Sequence, residues 1–246
     1  MLSAPKEEYQ IHIENSLSQW DKISSRFLPS LTRLFEENNN IMSEIDINQG
    51  IRRMIFSHDV GKLTKRWQKI MSDIADGGKA IPRPPHSALG AAYLLEWNKA
   101  REQNNNLGKA SIFAVLIHHI DSSISNESLE SPEAQTIQKL FIQGGDDIPW
   151  HTNGDSALRS IKFNESIIEL QSVTLNSLIE LSDTLRGWAK CPRALDQHKH
   201  RLLGSSLHHI LKICDWRAAT ERPVDEKEKE VHYSVLEVLN TGGIIS

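Results

Sequence analysis

The chain has 246 residues, 39% hydrophobic and 24% charged, enough apolar material for a sizeable core and too much for a disordered chain. Lysine and arginine total 28 against 32 acidic residues, a formal charge of −4, which excludes a uniformly basic protein held on nucleic acid by charge alone. Two cysteines, Cys191 and Cys214, cannot build a disulfide framework. They fit a reducing cytoplasm, and no export leader or apolar run of about 18 residues points to a membrane.

Apolar residues at Tyr9, Ile13, Leu17, Trp20, Ile23, Phe27, Leu31 and Leu34 recur every three or four positions and predict one helix face. Pro29 is expected to kink or divide that helix. A second helix is predicted over about 48–57, with Ile51, Met54 and Ile55 inward, and a third over 63–74. Asp76, Gly77 and Gly78, with Pro82, Pro84 and Pro85, make the following stretch a loop. A helix from His86 carries Leu89, Ala92, Tyr93 and Trp97. The next, over 109–120, is nearly all apolar and reads as buried. Loops are expected at 121–132 and 144–155, a region with seven acids and one lysine between 121 and 155. Helices near 164–184, 196–219 and 227–240 complete the reading. No segment alternates with period two, and there is no internal repeat. The expected fold is all-α: a single-domain helical bundle over 1–246, its core at about 8–220 and a C-terminal helix and tail at 221–246.

The chemistry-bearing residues sit at the ends of these helices. In Ser57-His58-Asp59-Val60-Gly61-Lys62, His58 lies three and four residues after Ile55 and Met54, so its imidazole points inward. Gly61 supplies the flexible residue that often ends a helix. A buried histidine beside a buried carboxylate costs several kcal/mol unless compensated, as a cation would do; the alternative is a hydrogen-bonded core histidine beside a capping aspartate. His86 opens a helix after a proline stop. His118 and His119 close a buried helix and can share one site only if the site is wide or the helix ends there, because adjacent helical residues diverge by about 100°. Asp215, between Leu211, Cys214 and Ala218, needs Arg217 or a cation as partner. His12 flanks the first apolar stripe. Each alone fits a satisfied polar residue, and the doublet His208-His209 reads as structural or surface. Together, His12, His58, Asp59, His86, His118, His119 and Asp215 are seven potential ligands from five helices, and mixed imidazole and carboxylate donors suit Mn, Fe, Co, Ni or Zn better than Ca or Mg alone.

That order, with HDxGK at 58–62, His-Ser at 86–87, His-His at 118–119 and Asp-Trp at 215–216, resembles the HD phosphohydrolase superfamily. Within it, the segments after the proline-rich loop, around Ile117-His118-His119 and around Cys214-Asp215-Trp216, are most similar to the HD nuclease of type I CRISPR systems. The resemblance implies one or two divalent transition metal ions (Mn, Ni, Co, Fe or Zn, with Mg possible): His12, His58, Asp59 and Asp215 holding one, His86, His118 and His119 the second, Asp59 bridging. It further implies a metal-dependent nuclease cutting single-stranded DNA, with Asp59 and Lys62 catalytic. A nucleotide or cyclic-nucleotide phosphohydrolase is the alternative. Two ions about 4 Å apart activate water and stabilise the attacking and leaving oxygens of a phosphodiester displacement. Lys62 pairs with phosphate or a ligand carboxylate, or is an ordinary solvated lysine. Lys65, Arg66 and Lys69 with Trp67 form either a strand-guiding face or a solvated helix face with one core tryptophan. Arg186, Lys190, Arg193, Lys199 and Arg201 are a weaker second basic candidate. The resemblance implies a helicase and a guide-RNA surveillance complex as partners; since Gly108-Lys109-Ala110 lacks the first glycine and the hydroxyl of a phosphate loop, either the helicase is a separate polypeptide or this chain is a fragment of a longer one.

Overall fold

A computed structural model describes residues 1–36, 42–79, 86–103, 105–119 and 148–221. The sequence-predicted helix at 227–240, the loop at 121–132 and the start of the one at 144–155 lie outside them. Among the described residues are eight α-helices: α1 Tyr9–Phe35, α2 Glu44–Ser57, α3 Lys65–Ala75, α4 Ser87–Ala100, α5 Asn106–Ile117, α6 Gly154–Ser160, α7 Leu175–Ala189 and α8 Ala194–Thr220. A two-stranded antiparallel hairpin, β1 Leu2–Ala4 and β2 Glu7–Glu8, precedes them. No described helix is long and apolar enough to cross a membrane.

The first helix buries Tyr9, Ile13, Leu17, Trp20, Ile23, Leu31 and Phe35 on the face its spacing predicts. It runs through Pro29 undivided. Pro29 and Ser25 are both exposed, so the carbonyl that loses its helical donor can turn to water. The second helix starts four residues before the predicted position, because Ser43 accepts from the Asp46 amide at 3.1 Å and Glu44 and Asp46 occupy the first turn. The third predicted helix is split: Val60–Leu63 is a 3-10 turn, and Thr64 then caps α3 by accepting from the Trp67 amide. The fifth begins early because Asn105 caps it through Gly108 N, and it ends at Ile117, before the histidine doublet.

The largest departure is at 164–184. Residues 161–173 cross α4 as irregular chain with a 3-10 turn at Leu170–Ser172, and α7 starts only at Leu175, where Thr174 and Ser177 form a capping box. Side chains take the backbone bonds a helix would need. Trp97 donates to Ser166 O at 3.0 Å, Tyr93 donates to Ile168 O at 2.9 Å, and Asp155 accepts from Leu170 N at 2.9 Å. Within the predicted 144–155 loop, Gly154 and Asp155 open α6.

The central pair is α4 and α5, buried on nearly every side, which their almost unbroken apolar sequences require. Around them, α8 packs on α5 and α1, α1 on α2, and α7 on α4. One buried ion pair pins the irregular segment: Arg53 donates through Nη1 to both Glu165 carboxylate oxygens at 3.0 and 2.9 Å, and Arg101 joins at 2.7 Å. Glu165→Ala removes the partner of the buried Arg53 charge. The expected loss is about 3 kcal/mol, read from the urea unfolding midpoint; a loss below about 1 kcal/mol, that of an exposed pair, would show that water reaches Arg53.

Candidate metal centre

Five helix segments meet at Asp59. His58 and His118 occupy the C-caps of α2 and α5, where each ring can reach back to a carbonyl of its own last turn. His58 Nδ1 lies 2.6 Å from Ile55 O, and His118 Nδ1 lies 2.5 Å from Val115 O. Only a protonated Nδ1 can donate to a carbonyl, so in both rings the Nε2 lone pair is left for another partner. Those Nε2 atoms point at Asp59, 3.5 Å from Oδ2 for His58 and 3.8 Å from Oδ1 for His118. From the N-cap of α4, His86 places Nε2 3.0 Å from Asp59 Oδ1 and 2.8 Å from His119 Nε2. From α1, His12 Nε2 lies 3.3 Å from Asp59 Oδ2 and 3.1 Å from Asp215 Oδ1 on α8.

Asp59 therefore stands between two groups. Its Oδ1 faces His86 and His118; its Oδ2 faces His12 and His58. Within each of two sets, Asp59, His86, His118 and His119, and His12, His58 and Asp215, the donor atoms lie within 4.8 Å of one another. His12 Nε2, His58 Nε2, His118 Nε2 and Asp59 Oδ1 are buried and make no well-formed hydrogen bond. Four polar atoms left in this way at one spot carry a large desolvation penalty unless a cation fills the space between them. Divalent cations fit this donor set.

Two glycines permit the approach. A Cβ on Gly61 would stand 2.3 Å from His86 O, and one on Gly90 would stand 2.6 Å from the Ser57 and His58 carbonyl oxygens. Gly61 is thus required by the contact between the 3-10 turn and α4, and not by a left-handed helix end, since positive φ among the described glycines occurs at Gly77.

Asp59, Asp215 and His86 carry the protonation states of ligands, and His12 does not. Burial opposes the charge on Asp59, but His58 and Lys62 outweigh it and hold the carboxyl well below its usual range. Burial likewise opposes Asp215, and His12 and His58 hold it low. Burial drives His86 down to about 4, against the pull of Asp59, so the ring is neutral. His12 is the exception: burial opposes its charge, yet Asp215, Asp59 and Glu7 together raise it to about 10. A cation entering this group must displace that proton. Apparent affinity for Mn²⁺ is therefore expected to rise about tenfold per pH unit from neutrality toward pH 9, measured by chelator competition. A flat profile would show that the entering ion displaces no proton from His12.

All seven sequence-predicted ligands are brought together. His119 alone among them is exposed, so its group opens to solvent. His208 and His209 lie on α8 outside both sets. Lys62 is not a solvated lysine: it is buried, with Nζ 2.6 Å from Asp59 Oδ2, 3.1 Å from Ser3 Oγ and 5.4 Å from the Trp67 ring centre. Trp67 is not a base-stacking face. It is 2% exposed, packs with Ile70 and Met71, and meets the His86 ring edge-on at 4.7 Å, so it forms a wall behind a ligand. Lys65, Arg66 and Lys69 are exposed on α3.

Sequence reasoning missed the N-terminal hairpin. Ser3 Oγ lies 3.3 Å from Asp59 Oδ2, and Glu7 Oε1 lies 3.1 Å from His12 Nδ1. Pro5-Lys6, between Leu2-Ser3-Ala4 and Glu7-Glu8, is a turn signal, but nothing in the sequence aims that turn at the metal centre.

An all-α bundle with a His-Asp pair at a helix end, ringed by histidines from its neighbours, defines an HD-domain protein built to hold divalent cations. This chain belongs to the Cas3 HD domain family, whose sequence profile matches residues 10–224. It is similar to the CRISPR-associated endonuclease Cas3-HD of Pyrococcus furiosus, 25% identical over 223 residues that cover 86% of this chain and 87% of the relative. The protein of the same name from Methanocaldococcus jannaschii is 22% identical over 220 residues, 86% and 85% of the two chains. The solved structure of the CRISPR-associated Cas3 HD domain protein of Methanocaldococcus jannaschii shares the fold, with a TM-score of 0.63 at 19% identity, covering 85% of this chain and 98% of that one.

Proposed function

We propose that this HD nuclease cleaves single-stranded DNA in type I CRISPR interference, with Asp59 shared between two divalent ions. The observation that carries the reading is the division of Asp59, one oxygen to each histidine group. His12, His58, Asp59 and Asp215 would hold one ion, and His86, His118 and His119 the other. When bound, the ions supply Lewis acidity toward a phosphate oxygen and a water of lowered pKa.

The chain's own residues do the rest. The Nδ1–H bonds of His58 and His118 to their helix carbonyls fix ring direction before any ion arrives. Lys62, tied to Asp59 Oδ2 and Ser3, holds the central carboxylate in place and offsets its charge; it acts on the reaction through Asp59. Trp67 excludes water behind His86. The open side at His119 admits the scissile phosphate, and exposed Lys65, Arg66 and Lys69 attract the flanking backbone by charge. The relatives' names place them in CRISPR systems as endonucleases. This chain fits the same role in the cytoplasm, fed with a displaced strand by a helicase and recruited by a guide-RNA complex, as one domain over its length.

A circular single strand and a panel of mononucleotides and cyclic nucleotides, each incubated with Mn²⁺ or Ni²⁺, test the proposal. Linearisation of the circle followed by degradation is expected. Hydrolysis of the nucleotides with the circle intact would replace the nuclease by a nucleotide phosphohydrolase.

A further inference from the structure

We infer that Glu7 is a positioning residue of the metal centre, its carboxylate accepting the Nδ1–H of His12 and so reserving His12 Nε2 for a cation. The inference rests on reading the His/Asp groups as metal sites. His58 and His118 take their orienting bond from a carbonyl three residues back, available because each ring stands at a helix end. His12 lies inside α1, where main-chain carbonyls are engaged along the helix. Its Nδ1 instead finds Glu7 Oε1 at 3.1 Å, with His12 fully buried and Glu7 4% exposed.

The hairpin places that carboxylate. Tyr9 N donates to Met1 O at 2.8 Å, and Leu2 N donates to Gln68 Oε1 at 2.9 Å. Gln68 Nε2 in turn donates to Leu2 O and to Lys62 O, both at 2.8 Å. β1 is thereby anchored to α3 and to the turn carrying Lys62, and its pairing with β2 sets the position of Glu7. Glu7 lies outside the residues that the family profile matches, so the orienting group for this ligand comes from a segment beyond the matched domain. A carboxylate on the remote nitrogen of a ligating histidine fixes the tautomer and strengthens the donor, and its loss typically costs 10–100-fold in metal affinity.

Glu7→Gln is the discriminating variant. It keeps shape and volume, but its amide NH₂ can donate to Nδ1 and stabilise the Nε2–H tautomer, which cannot coordinate. By titration calorimetry with Mn²⁺ on the full chain, Glu7→Gln is expected to lose at least about tenfold in affinity. Glu7→Asp is expected to keep most of it, and Glu8→Gln, its exposed neighbour, to match wild type. Equal affinities of wild type and Glu7→Gln, both folded by circular dichroism, would overturn the role. If Glu7→Gln fails to fold, long-range ¹H–¹⁵N correlation on the Zn²⁺-loaded wild type decides. A proton on His12 Nδ1 supports the inference, and a proton on Nε2 refutes it. Should wild type itself take up no ion, the metal reading falls instead, so the two failures are distinct.

Discussion

Asp59→Asn is expected to lower metal-dependent cleavage of single-stranded DNA by at least about a thousandfold, or about 4 kcal/mol of barrier, while leaving the far-ultraviolet circular dichroism of the bundle unchanged. The substitution is isosteric, but it replaces two anionic oxygens by one carbonyl and one NH₂. One histidine group keeps an acceptor; the other meets a donor where it needs a charge. Both groups depend on this carboxylate, because Oδ1 faces His86 and His118 while Oδ2 faces His12 and His58. Asp59→Ala is expected to be as inactive and also less stable. Both substitutions take the anion from the buried Lys62 ammonium, now 2.6 Å from Oδ2, but only alanine also removes the oxygen it donates to, at a cost of about 3–5 kcal/mol. Cleavage at the wild-type rate by either purified variant would show that the reaction runs elsewhere.

Gly61→Ala is expected to be the most damaging glycine-to-alanine change among the described glycines. The added Cβ would lie 2.3 Å from His86 O and 2.8 Å from His86 Cα. The obstacle is backbone, so no side-chain rotation relieves it; the 3-10 turn and the start of α4 must move apart. Overpacking in a core commonly costs about 1–3 kcal/mol, and a main-chain clash belongs above that range. The movement also draws His86 Nε2 away from Asp59 Oδ1, now 3.0 Å distant, so affinity for Mn²⁺ should fall together with the melting temperature. Gly187→Ala is the control, since its Cβ would meet nothing within 4 Å on α7 and alanine is the better helix former. Equal melting temperatures for the two variants would mean that the turn yields freely.

That seven candidate ligands come together was legible in the sequence because helices make it so. His12, His58 and Asp215 lie beside apolar stripes, and His86, His118, His119 and Asp59 lie at helix ends marked by proline, by a polar stretch or by glycine. The HD order supplied their grouping. What was illegible depends on tertiary contact. Trp67 stands among basic residues in sequence, yet its ring turns into a small cluster with Ile70 and Met71 against His86. The apolar residues from Phe163 to Leu170 suggest a helix, but Trp97 and Tyr93 bind their carbonyls from another element. Glu7 has no helical spacing to His12, and only hairpin pairing sets its position. Gly61 was legible as necessary, but its reason lay in a backbone 25 residues away in the chain.

The candidate ligands are scattered along the chain from His12 to Asp215, and the last sits about a turn and a half from the end of α8. During translation the earlier histidines leave the ribosome first and can pack α1, α2, α4 and α5 into a nascent bundle, but Asp215 arrives only with the final described helix. The centre is therefore complete only once α8 has been made, and truncated products that stop before α8 carry the His-Asp pair without Asp215.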